Sequence, residues 1–168
     1  MQTFLPIATI EYGKIAKTLD NKRLHKQALE GWQILMNLTE LDPAGNHRTP
    51  GGWTNHPAVK MWRGSEQELA VYTLAMVHEW INRGYKSTLI DKVVDTARIA
   101  LENSRLGVAI PQWIEDQDMF ERVAATHRQA LLAKDYEHYS QFNWEEDTGK
   151  APTEYTYLWP TEEYAIKS

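Results

Sequence analysis

The chain has 168 residues, no cysteine, seven tryptophans, eight tyrosines and a formal net charge of −5. That length suits one domain with a sizeable core, and the missing thiols exclude disulfides and thiolate metal sites. No apolar run approaches the roughly 20 residues that span a bilayer, and Met1–Pro6 lacks the basic-then-apolar pattern of a secretory leader, so a cytoplasmic protein without membrane contact is expected.

In chain order, the pattern predicts a short helix over 11–18 and then an N-cap at Asp20, whose carboxylate can accept from free N–H groups of the next first turn. From there to about Glu40 the period is helical. Leu24, Ala28, Gly31, Leu35 and Leu38 form one buried stripe. Arg23, Gln27, Glu30 and Ile34 follow a neighbouring face, with Lys26 beside it. Residues 41–56 read as a loop, with two prolines, three glycines and no periodicity. A loop of that length in a compact domain is often functional. Thr54 or Asn55 is expected to cap the next helix, with Pro57 in its first turn, where the absent N–H costs little. That helix carries Val59, Met61 and Trp62 and pauses at Gly64.

A longer helix follows over 66–83, with Leu69, Val71, Tyr72, Met76 and Trp80 as its apolar face and Gly84 as its stop. Ser87 is a candidate cap for a helix to about Asn103. Residues 106–111 connect to a further helix over 116–133, whose core side chains are Met119, Phe120, Val123 and Leu131. The aromatic, acidic tail from Tyr136 is expected to wrap the helices rather than form one of its own. No segment alternates as a strand does, so the expected class is all-α, about five helices in one domain spanning 1–168.

Charge is unevenly spread. Residues 1–63 carry eight basic and five acidic side chains, a balance of +3, and residues 64–168 carry ten and eighteen, a balance of −8. A mildly basic N-terminal third can meet an anion, while the acidic remainder argues against indiscriminate nucleic-acid binding.

Two constellations carry chemistry. On the helix face, Arg23, Lys26, Gln27 and Glu30 are spaced three, four and seven apart, so they cluster. A carboxylate flanked by cations and an amide suits acid–base work or stabilisation of a developing cation, and equally an exposed salt-bridged helix. At the loop-to-helix junction, Trp53, Thr54, Asn55 and His56 precede Pro57, where free N–H groups and the helix dipole attract phosphate; Lys60 and Arg63 follow. His56 can also simply satisfy the loop. His47 and His56 make no recognised metal spacing, and there is no phosphate loop, dinucleotide fingerprint or nucleophile elbow, so neither metal nor cofactor is expected.

Several segments together carry a resemblance: MQTFLP at the start, LDNKRLHKQALEGWQIL (19–35), NHPAVKMWRG (55–64), INRGY (81–85), HRQALLAKDYEHY (127–139) and YLWP (157–160). The chain resembles the pyrimidine-dimer DNA glycosylases of the phage endonuclease V type, and most of all a bacterial and phage branch of that family. The resemblance implies a compact helical fold in which the N-terminal segment threads between helices. It implies that the terminal α-amine attacks C1′ of a damaged nucleotide, displaces the base, and leaves an imine that permits strand cleavage. It places Glu30 on the family's essential glutamate, Arg23 on a DNA-contacting histidine and His56 on a histidine ahead of the next helix. An α-amine near its ordinary pKa of about 7.7–8.0 keeps a neutral, nucleophilic fraction at pH 7. That amine is Met1's, or Gln2's if the initiator is removed; the bulk of Gln2 favours retention. Leu29 stands where the family has a DNA-contacting arginine. The expected partner is therefore damaged or modified double-stranded DNA, bound by a monomer in a salt-sensitive way. A non-catalytic binder of modified nucleic acid or nucleotide on the same scaffold, or an enzyme of free nucleotides, stays open from the residues alone.

Overall fold

The computed structural model describes residues 1–161, and among them every regular element is helical. Eight α-helices form among these residues where about five were expected; α1 (Tyr12–Thr18), α2 (Asn21–Thr39), α4 (Glu66–Asn82), α5 (Leu89–Glu102) and α7 (Gln117–Lys134) are the five of seven residues or more. Single turns stand between them: α3 (Pro57–Lys60), α6 (Gln112–Glu115) and α8 (Tyr136–Tyr139), with 3₁₀ turns at Gly52–Asn55 and Ser140–Phe142. No helix among the described residues is long and apolar enough to cross a membrane.

The longest helix begins where the side chains say it should. Asp20 accepts from the Lys22 and Arg23 N–H groups at 3.1 and 3.3 Å, which satisfies two of the donors a helix start leaves free. Leu24, Ala28, Gly31 and Leu35 are buried along α2. Gln27 and Ile34, on the face beside them, are also wholly buried. Helix α2 packs along α4, and α5 closes against both. Gly31 sets the closeness of the α2–α4 crossing: a Cβ there would stand 2.3 Å from Thr73 Oγ1.

On α4, Leu69, Tyr72 and Met76 are buried at steps of three and four, together with Thr73 and Val77. Val71, expected in that face, is 47% exposed. One residue of helix rotates the side chain by about 100°, which carries position 71 off the stripe centred on Tyr72.

The α3 cap differs from expectation. Thr54 and Asn55 are taken into their own 3₁₀ turn, where the Thr54 hydroxyl donates to the Gly51 carbonyl. His56 is left at the N-cap, with its Nδ1 accepting the Ala58 N–H at 3.1 Å and Pro57 in the first turn. Before α5, Thr88 holds the cap position and Ser87 accepts the Leu89 N–H.

Within the 41–56 loop, Leu41 and His47 form an antiparallel bridge. Asp42 ties its turn by accepting from the Ala44 and Asn46 N–H groups. The Arg48 N–H then donates back to the Glu40 carbonyl at the end of α2. The tail stacks Trp144 on Phe142 and Tyr139, then returns across the molecule, with Tyr157 meeting Phe4 and His127 edge-on. The described part of the tail thus wraps the helices, but it also forms turns of its own, α8 and the 3₁₀ turn at Ser140–Phe142, which were not expected; its end, 162–168, lies outside the described residues.

Candidate active site

The first residues run through the core rather than over it. Gln2, Thr3, Phe4 and Leu5 are all buried. An extended segment buried without a sheet needs other partners for its backbone, and here side chains supply them. The Phe4 N–H donates to Gln27 Oε1 on α2 at 2.8 Å, and the Leu5 N–H to His127 Nδ1 on α7 at 2.9 Å. The Thr3 N–H turns to the side-chain oxygen of Gln2. Tyr72 on α4 has a single hydroxyl proton, shared between the Phe4 carbonyl and Gln27 Oε1, each 2.9 Å away. Trp62 donates to the Thr3 hydroxyl, and Arg128 to the Pro6 carbonyl.

Those tethers fix where the chain begins. The Gln2 N–H donates to Glu30 Oε2 at 3.3 Å, and the Met1 amino nitrogen lies 3.9 Å from Glu30 Oε1. The Glu30 side chain is only 13% exposed. Lys26, one turn earlier on α2, reaches the same carboxylate at 3.8 Å from an exposed position on the rim. Both first backbone nitrogens and one lysine therefore converge on a single, mostly covered carboxylate.

Glu30 and Met1 open onto a cavity of about 420 Å³. Its helical wall is Gln33, Met36 and Asn37 of α2, and the loop closes it with Pro43, Arg48 and Trp53. His56 stands close enough to the site to feel its charges. Desolvation holds its pKa below the usual imidazole value, the N-terminal ammonium adds to that, and Glu30 opposes it. Because Nδ1 accepts from Ala58, the neutral ring carries its proton on Nε2. Trp53 and Trp159 pack on either side of it at 5.3 and 5.9 Å between ring centres.

The sequence profile of the pyrimidine dimer DNA glycosylase family matches residues 1–93. This chain belongs to that family. No curated protein and no solved structure matches it. The matched residues contain the N-terminal segment, Glu30, the loop and α3, while His127, Arg128 and Trp159 lie beyond them.

The residues singled out on the α2 face divide in three dimensions. In this glycosylase-family chain, Met1, Gln2, Lys26, Gln27 and Glu30 come together at the N-terminus. Gln27 faces the backbone of Phe4 and not the cavity. Arg23 does not line the cavity: its guanidinium meets Asp20 at 3.3 Å, Asp135 at 3.8 Å and the Lys134 carbonyl at 3.2 Å. A carboxylate and a carbonyl brought from the end of α7 hold it there, outside the cavity. Asn55 is exposed at the end of its 3₁₀ turn. Lys60 and Arg63 border a second recess of about 320 Å³, with Trp113 and Pro111, and Arg63 also donates to the Thr54 carbonyl. Trp53, which opens the junction read from sequence, lines the cavity, whereas Gln33, Asn37 and Arg48 were not singled out. Gln33 and Asn37 continue the Glu30 stripe at three and seven residues, a signal that was there to use. Arg48 sits in an aperiodic loop that carries no such signal.

Proposed function

We propose that this protein is a DNA repair glycosylase with abasic-site lyase activity, acting as a monomer on damaged duplex DNA through its N-terminal amine and Glu30. The convergence of the Met1 and Gln2 nitrogens on the Glu30 carboxylate, at the wall of an open cavity, supports this reading. A binder without chemistry on the same scaffold has no need of a free amine threaded through the core to meet a carboxylate.

The chemistry follows from that pair. The neutral amine attacks C1′, so an N–C1′ bond forms as the glycosidic bond breaks. The base leaves with the electron pair and takes up a proton, while the attacking nitrogen loses one. Ring opening gives an iminium at C1′. Loss of a C2′ proton then expels the 3′ phosphate and cuts the strand. Glu30, a few ångströms from the nitrogen, stabilises the cationic sugar and iminium and relays the protons. Gln27, Tyr72 and His127 are positioning residues: they grip the Phe4 and Leu5 backbone and so hold the amine in place. Lys26 at the rim, with Asn55, Lys60 and Arg63 outside the cavity, provides contacts for the phosphate backbone. His56 contributes a neutral Nε2–H donor beside the amine.

Borohydride trapping tests the mechanism. The protein is incubated with ultraviolet-irradiated duplex and with duplex carrying an abasic site, then reduced. A covalent adduct is expected on both, mapping to the amine of residue 1, and Glu30→Gln should slow excision by about 100-fold or more. Failure to trap any adduct, or a crosslink to a lysine side chain, overturns the assignment.

A further inference from the structure

The carboxylate beside the amine answers to two cations, and the proposed chemistry asks for only one. Glu30 Oε2 accepts the Gln2 N–H at 3.3 Å. The other oxygen, Oε1, lies 3.9 Å from the Met1 amino nitrogen and 3.8 Å from Lys26 Nζ. Met1 and Glu30 are both mostly covered, whereas Lys26 is 62% exposed on the rim. A covered carboxylate facing an amine favours the ammonium, because opposite charges hold each other in their charged forms. An ammonium has no lone pair and cannot attack C1′. Left alone with Glu30, the nucleophile would be locked by the residue that assists it.

Lys26 opposes that lock. It draws on the same oxygen, and it sets a second positive charge near the amine; both effects disfavour the proton on the amine. Its place on α2 does little for the helix. Lys26 precedes Glu30 by one turn, the order from which a helix gains less, and exposed pairs add little to stability. The other groups around the pair stay fixed near pH 7. Desolvation and the ammonium keep His56 neutral, and burial does the same for the phenols of Tyr72 and Tyr157, which feel Glu30. Arg48, in the wall of the cavity, is charged throughout.

Resting on the reading of the Met1 amine as the nucleophile, we infer that Lys26 acts through Glu30 to keep that amine in its neutral, attacking form. Lys26 is thus a positioning residue of charge. Glu30 keeps its own charge for the iminium that forms later, and Lys26 limits what that charge does before the attack.

The test needs no DNA. Formaldehyde with cyanoborohydride methylates an amine through its neutral form, and mass spectrometry of the N-terminal peptide follows residue 1 by itself. Rates are measured between about pH 6 and 9.5, on either side of an ordinary α-amine titration. Lys26→Met should move the midpoint up by about 0.3–0.5 of a pH unit, so that methylation at pH 7 falls about two- to three-fold. Lys26→Glu should move it about twice as far, and Lys26→Arg should match the parent. Salt at about 1 M should shrink these differences, since an exposed charge is screened.

A merely structural role would not order the variants by charge, and a phosphate contact would not move a profile recorded without DNA. Superimposable profiles for the parent, Lys26→Met and Lys26→Glu, or shifts that ignore the sign of the charge, overturn the inference. This measurement and the borohydride adduct fail separately. A charge-ordered shift without an adduct sinks the lyase chemistry and leaves the control of the amine by Lys26 standing. An adduct with superimposable profiles does the reverse.

Discussion

Burial and the neighbouring Arg128 guanidinium push the His127 pKa down to about 3, so the ring stays neutral and its Nδ1 can accept from Leu5. In the unfolded chain the same ring titrates near 6.5. Between those two values the unfolded state binds more protons, so stability falls as pH is lowered through the window and is fully present above about 6.5. The loss reaches about 2 kcal/mol by pH 5 and about 4–5 kcal/mol by pH 3. His56, also held below its usual value but partly exposed, adds a smaller change of the same sign. Chemical denaturation between pH 7 and 4.5 should show this slope, and His127→Gln, which keeps an acceptor but cannot titrate, should flatten it. At this scale Glu30 and Gln27 were legible in the sequence as neighbours on one helix face, though their division of labour was not. Spacing cannot say that Gln27 turns inward to a backbone arriving from residue 4. Nor can it say that Arg23 is taken up by Asp135, which lies more than a hundred positions away along the chain. Arg48 was illegible because loop residues are placed by turns such as that of Asp42, and periodicity is silent about turns.

Among the elements, the α2–α4 pair carries the site. Glu30 and Gln27 stand on one helix and Tyr72 on the other, with Gly31 and Thr73 at their crossing. Alanine at position 31 should raise helix propensity by about 1 kcal/mol, but its Cβ meets the Thr73 hydroxyl, which is buried and committed to the Leu69 carbonyl. Overpacking of that kind costs about 1–3 kcal/mol, so a net loss of up to about 2 kcal/mol is expected for Gly31→Ala. Thermal unfolding should show a Tm lower by several degrees, and Gly31→Ala/Thr73→Ala should recover most of it; additive losses would mean that the two positions do not collide. The helices themselves were largely legible. Asp20 marked the start of α2 by a carboxylate that does cap it, and the stripe of Leu24, Ala28 and Leu35 showed which side is buried. The errors sit at junctions and edges. His56 took the cap that Thr54 and Asn55 were expected to supply, because a 3₁₀ turn absorbed both, and Val71 fell just off its stripe. The single-turn helices α6 and α8 are too short for a period to register.

For the whole molecule, charge sets how DNA is held. With a net charge of −5, the acidic body repels a phosphate backbone and attraction is left to a few cations. If Lys26, Arg48, Lys60 and Arg63 each neutralise one phosphate, the slope of log K against log salt concentration is about −3 to −4. Titration of lesion duplex across 50–200 mM salt should give that value, and Arg48→Ala should make it shallower by about one. A slope near −8 would mean that a different, larger surface binds. The whole chain also matters for the amine. The family profile ends at residue 93, yet the segment that carries the amine is gripped by His127 and Arg128 and overlain by Tyr157. The hydrogen bond from Leu5 to His127 therefore joins residues 122 positions apart, while the bonds of Phe4 to Gln27 and Tyr72 stay within the matched region. A chain cut back to the matched region keeps Glu30 and those nearer tethers but loses the clasp on Leu5 and Pro6. Long-range closure of this sort is slow to form, so the last grip on the opening segment belongs to the late stages of folding.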